Sequence, residues 1–156
     1  EARRTNFIVG VLEASLRKYN QSNVNVLAQV WGNWDQQGGL KAMEDAIIAH
    51  GDKINVVYTE MDDMALGAIR ALKAAGKLEN IKVFAHDGYK YGLEAIKRGE
   101  LQATASNNPN MLTKLALDIV SQHNAGARDF PDYTYIPSLL ITKDNVEQVY
   151  DEQSLY

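Results

Sequence analysis

The apolar positions of this chain change period several times, and each change marks an element. Phe7, Val11, Leu12 and Leu16 recur at helical spacing, with Glu13, Arg17 and Lys18 on the other side, which predicts an amphipathic helix over residues 3–19. Residues 20–23 read as a turn. Val24, Val26, Leu27 and Val30 predict a strand over residues 24–30, and the loop Trp31-Gly32-Asn33-Trp34-Asp35 leads into a helix over about 36–50. Strands follow at 55–58, 81–85 and 101–105, with helices at 62–75 and 89–98 that Gly76 and Gly99 stop. Asn108-Pro109 opens a helix running to about residue 123, because proline suits a first helical turn. After a loop at 124–132, residues 133–141 predict a last strand, which Pro137 confines to an edge or crossover position. Thr142-Lys143-Asp144-Asn145 starts a short terminal helix.

Strands alternating with helices about 10–17 residues long indicate βαβ units. The expected fold class is α/β, a parallel sheet flanked by helices on both faces through right-handed crossovers. In such sheets ligands bind at the carboxyl ends of strands. Two strand ends carry polar groups. The apolar run 54–58 ends in Glu60-Met61-Asp62-Asp63, where Asp62 and Asp63 are expected to cap the next helix and complement its dipole, Asp62 as a cap and Asp63 as a surface charge. Val83-Phe84-Ala85-His86-Asp87-Gly88 repeats the pattern later in the chain.

Composition narrows the function. The chain has 156 residues, the size of one domain, and a net charge of −4 with no block of Lys or Arg, which argues against nucleic acid as a partner. Cysteine is absent, which excludes disulfides, thiolate metal sites and cysteine nucleophiles. His50, His86 and His123 are scattered and read as surface or loop residues. No apolar stretch reaches the roughly 18–20 residues that span a membrane. No signal peptide is read at Glu1-Ala2-Arg3-Arg4, which leads directly into the helical pattern. No Ser-His-Asp order, phosphate loop or metal-ligand spacing is present, so neither an enzyme nor a cofactor is expected.

Several segments, in order, resemble a known family: Glu1-Ala2-Arg3, Trp34-Asp35, Val56-Val57-Tyr58 through Asp62-Asp63-Met64-Ala65-Leu66-Gly67-Ala68, Val83 to Gly88, Gly99-Glu100-Leu101-Gln102-Ala103-Thr104 through Asn107-Asn108-Pro109, and Ile141-Thr142-Lys143-Asp144-Asn145. The chain is similar to the C-terminal lobe of periplasmic sugar-binding proteins of the ribose and galactose type, a fold shared with LacI-type effector domains. The resemblance covers nearly the whole chain. It implies a type I periplasmic-binding-protein lobe at 1–107. It also implies return segments at 108–156, of which helix 111–123 belongs to a missing first lobe. The chain then reads as a fragment of an extracytoplasmic solute receptor for an ABC permease, with a small-molecule sugar as ligand and a homodimer through the exposed interlobe surface.

The resemblance also implies site residues. Asp87 stands where the family binds sugar hydroxyls, and a carboxylate can accept from two adjacent hydroxyls; otherwise it serves an Asp-Gly turn. Trp34 matches an aromatic that stacks on the sugar ring; otherwise it is a packing residue, as is Trp31. Arg3, with Arg4 as fallback, matches an arginine whose planar fork suits vicinal hydroxyls; otherwise it is a solvated charge. Asn107 matches an amide near the hinge that contacts sugar, or caps the helix at Pro109. Met61 departs from the pattern, because the family usually has Asn there. Its thioether is a weak acceptor, which points to a less polar, deoxy or otherwise altered ligand. The competing readings are a LacI-type regulator's effector domain and a flavodoxin-like phospho-acceptor using Asp62, Asp63 and Asp87. The acidic pair follows the second strand rather than the first, which disfavours the latter.

Overall fold

The computed structural model describes residues 24–154 and 156. The helix expected at 3–19, the turn at 20–23, and Arg3 and Arg4 lie outside the described residues. The elements run α1 (Gln36–His50), β1 (Val56–Tyr58), α2 (Asp62–Ala74), β2 (Lys82–Asp87), α3 (Lys90–Lys97), β3 (Ala103–Ser106), α4 (Pro109–Asn124), β4 (Leu140–Thr142) and α5 (Val146–Val149). The four strands lie in the order β1-β2-β3-β4. The first three pair in parallel, with Tyr58 opposite Phe84 and Asp87 opposite Ser106. β4 runs antiparallel to β3, so the mostly parallel α/β sheet ends in one reversed strand.

Local chemistry explains the helix bounds. The Asp35 carboxylate accepts from the Gly38 N–H at 2.6 Å and starts α1. The Asn108 side chain accepts from the N–H groups of Asn110 and Met111 and starts α4, with proline in its first turn. α2 and α3 end at Gly76 (φ 66°) and Gly99 (φ 76°), where Lys77 N–H bonds Leu72 O and Glu100 N–H bonds Ala95 O. The core sits between α2, α3 and β2: Ala65, Ala68, Ile69 and Leu72 meet Val83, Ala85, Leu93 and Ile96, with Ile141 and Val146 closing it. α1 crosses α2 at backbone contact, since a Cβ on Gly67 would lie 2.0 Å from Gln36 O and 2.6 Å from Leu40 N.

Two expected strands are corrected. Residues 24–30 form none: Val24, Val26 and Val30 are exposed, and Leu27 alone of these apolar positions packs against the core. An apolar run supplies a face, but a strand also needs a neighbour for its N–H and C=O groups, and among the described residues this segment pairs with none of the four strands. The strand expected at 133–141 shrinks to Leu140–Thr142. Just before it, Ser106 N–H still bonds Leu139 O at 2.8 Å and Leu139 N–H bonds Ser106 Oγ at 2.8 Å. Pro137, which has no N–H to donate, stands outside the ladder, and β4 is the sheet's edge strand.

Candidate functional site

β2 and β3 deliver their last residues side by side. Asp87 ends β2 at φ 117°, in the backbone region that glycine takes freely and other residues rarely adopt. The Asn107 N–H donates to Asp87 O at 2.8 Å, and its side-chain amide donates to Asp87 Oδ1 at 3.3 Å. His86 Nδ1 lies 3.2 Å from the same Oδ1. The neighbouring Asp87 carboxylate raises the His86 imidazole pKa above its ordinary value, against the opposing effect of burial. β1 ends beside them: Thr59 N–H bonds Phe84 O at 3.0 Å, and Thr59 Oγ1 bonds Met61 O at 2.9 Å. Burial raises the Tyr58 phenol, and the charges of Glu60 and Asp87 add to it.

Asp62 is not the cap expected of it. Met61 occupies the N-cap position of α2 without a side-chain bond, and Asp62 is fully buried. One Asp62 oxygen accepts from Thr104 Oγ1 at 2.7 Å and the other from the Tyr89 N–H at 2.6 Å. Thr104 Oγ1 in turn accepts from the Gly88 N–H at 3.2 Å. A Cβ on Gly92 would lie 2.4 Å from Asp62 Oδ2, so only glycine lets α3 close over the carboxyl. Asp62 therefore ties the start of α2 to β3 and to the turn that follows Asp87. Burial pushes its pKa up to about 6, the Asp87 charge adds to the rise, and the bonds from Thr104, Tyr89 and Gly88 oppose it. Asp63 is not a free surface charge either: Gln36 Nε2 donates to Asp63 Oδ1 at 2.9 Å.

Among the residues expected at the site, Asp87 and Asn107 are in direct contact. Met61 stands one residue before Asp62, half-buried, at the mouth of α2. Trp34 has φ 62° and is 40% exposed. Its loop reaches α2 through Gly32, whose Cβ would touch Met64 Sδ at 2.6 Å, and through the Gln36–Asp63 bond. His86, read as a surface or loop residue, sits half-buried at the end of β2. The sequence reading missed Thr104, Gly92 and Tyr156 as part of this neighbourhood, because their partners lie far away along the chain. A groove of about 320 Å³ along α2 and α3, lined by Arg70, Lys73, Tyr91 and Arg98, contains none of the expected residues. Among the described residues no group of three His, Cys, Asp or Glu is placed to hold a metal.

Residues 2–128 match the family described as the periplasmic binding protein domain. The ribose import binding protein of Salmonella typhimurium is 36% identical over 63% of this chain and 32% of its own length. The xylitol-binding protein of Mycolicibacterium smegmatis is 32% identical over 87% of this chain and 38% of its own. The chain thus spans about a third of the curated relatives it matches. Among solved structures, an ABC transporter solute binding protein from Bacillus halodurans with bound myo-inositol superposes with TM-score 0.75 at 32% identity, covering 84% of this chain and 45% of that one. A galactofuranose binding protein superposes with TM-score 0.76 at 28% identity, covering 83% and 45%.

Proposed function

Because the chain belongs to the periplasmic binding protein domain family, we propose that it binds a sugar or sugar-like polyol without chemical conversion, as one lobe of an extracytoplasmic solute receptor that delivers to an ABC permease. The observation that carries this reading is Asp87. Its backbone holds a conformation that costs a side-chain-bearing residue about 1–3 kcal/mol. That cost is understandable if the carboxylate is needed at the strand end, where hydroxyls can bond to it and the Asn107 amide can bond beside it. Relatives named for ribose and xylitol, and a fold neighbour holding myo-inositol, support a polyol as the ligand class. Trp34 supplies the aromatic face for a ring, Met61 a soft apolar contact, and Arg3 a donor fork.

Half a cleft leaves much of a ligand in water, so the chain alone binds weakly, with dissociation constants of about 1 mM or above. The test is a titration of D-ribose, xylitol and myo-inositol followed by amide chemical shifts, in the wild-type chain and in Asp87→Gly. The substitution removes the carboxylate and relieves the backbone. Affinity should fall at least about tenfold, as expected for a bond to a charged group, while the thermal midpoint holds or rises. Equal affinity in the two proteins, or shifts that leave Gly88 and Asn107 untouched, would remove Asp87 from the site.

The domain division rests on α4. None of its 16 residues is buried, and Met111, Leu112, Leu117 and Val120 are exposed. We assign α4 to the packing of a second lobe, and the present lobe to the described residues up to 107 together with β4 and α5, which return to its sheet and core. Without the second lobe the apolar face favours pairing with a second copy. Light scattering on the isolated chain should show a dimer at about 100 μM, a concentration at which an interface of micromolar affinity is occupied, and Leu117→Glu should return it to monomer. A wild-type chain that stays monomeric at that concentration counts against the pairing.

A further inference from the structure

We propose that Tyr156 is a positioning residue for the candidate sugar site, its hydroxyl clamping the carboxyl ends of β2 and β3 and so setting the spacing of Asp87 and Asn107. The Tyr156 O–H lies 3.0 Å from Asp87 O and 2.5 Å from Asn107 O, and is shared between the two carbonyls. Asp87 O also receives the Asn107 N–H at 2.8 Å. Asn107 O stands past the end of the strand ladder, where Tyr156 supplies its donor, and for Asp87 O the same hydroxyl is a second donor beside the Asn107 N–H. The donor is fixed in place. The Tyr156 ring meets Tyr89 edge-on, with centroids 4.7 Å apart at 84°. Tyr89 is in turn held by Asp62 through its N–H.

The segment before Tyr156 is strapped along α3. Tyr150 Oη donates to Glu94 at 3.1 Å, the Lys97 ammonium lies 4.1 Å from the Tyr150 ring centroid, and Lys90 Nζ donates to Glu152 O. Burial, with the Asp87 charge nearby, raises the Tyr156 phenol above its ordinary value, and even an unshifted phenol keeps its proton at neutral pH and can donate. The clamp rests on this geometry alone, whereas its consequence for affinity rests on the sugar-binding reading above.

Tyr156→Phe keeps the ring against Tyr89 and deletes only the hydroxyl. Without ligand, amide hydrogen exchange at Asn107 should quicken about fivefold, the equivalent of one net hydrogen bond, while exchange at Leu72 in the core of α2 stays unchanged. In titrations with D-ribose and myo-inositol, affinity should drop by a similar factor. A residue that merely stabilised the whole fold would speed exchange at Leu72 as well. Unchanged exchange at Asn107 overturns the clamp. Faster exchange there with unaltered affinity overturns the positioning role. If the wild-type chain binds neither polyol, the sugar-site reading fails and the positioning role with it, and exchange at Asn107 still decides the clamp.

Discussion

Asp62→Ala is expected to destabilise the fold by about 3–5 kcal/mol near pH 4, and by markedly less above pH 7. The carboxyl is fully buried and holds the Tyr89 N–H and the Thr104 hydroxyl. Each donor stranded by the substitution costs about 1–3 kcal/mol, and the vacated volume adds to that. The pH dependence follows from the carboxyl pKa, which rises from 3.8 to about 6 on folding. A group that holds its proton more tightly when folded stabilises the protein fully below the unfolded value. That contribution is lost as pH climbs through the folded one. Between pH 4 and about 7 the wild-type protein therefore gives up about 2 kcal/mol at this site, most of the full shift at 1.36 kcal/mol per pH unit. Neither Ala nor Asn at position 62 can give it up. Urea denaturation of wild type, Asp62→Ala and Asp62→Asn across that range separates the effects. Asp62→Asn should gain on wild type as pH rises. A gap of less than about 1 kcal/mol at pH 4 for Asp62→Ala, or a gap that ignores pH, would sink the assignment. His86, also raised by its carboxylate neighbour, loses its contribution over the same direction of pH. For that reason the difference from the Asp62 variants is the measurement that matters.

Gly67→Ala is expected to destabilise by about 3 kcal/mol, the upper end for overpacking. Helix propensity alone predicts the opposite sign, since alanine in a helix interior gains about 1 kcal/mol over glycine. Geometry decides against propensity here. The added Cβ would meet Gln36 O at 2.0 Å and Leu40 N at 2.6 Å. Both are backbone atoms of α1, which cannot turn aside as a side-chain tip could. α1 would have to move away from α2, and the Gln36–Asp63 bond would go with it. Thermal unfolding of Gly67→Ala beside wild type reads the effect, and a midpoint that rises would mean the helices do not touch at this point.

Much of the architecture is legible in the residues because it is local. The capping side chains of Asp35 and Asn108, the stops at Gly76 and Gly99, and the switch between strand and helix periods each act within a few positions. They mark α1, α2, α3 and α4 to within a residue or two. The candidate site is legible in part for the same reason: Asp87 ends β2, Asn107 directly follows β3, and parallel order brings those ends together.

The succession of elements and the strand ends that carry polar groups are written locally along the chain. Both follow from periodicity, caps and turn residues that read one stretch at a time. Tertiary structure alone decided the fate of residues 24–30, the reversed direction of β4 and the role of Asp62. A strand exists only if another chain segment pairs with its backbone. A carboxyl becomes a buried tie only when Thr104, 42 positions away, and the Tyr89 N–H, 27 away, arrive to satisfy it. Those meetings are set by packing between distant segments, and no local pattern around Asp62 encodes them.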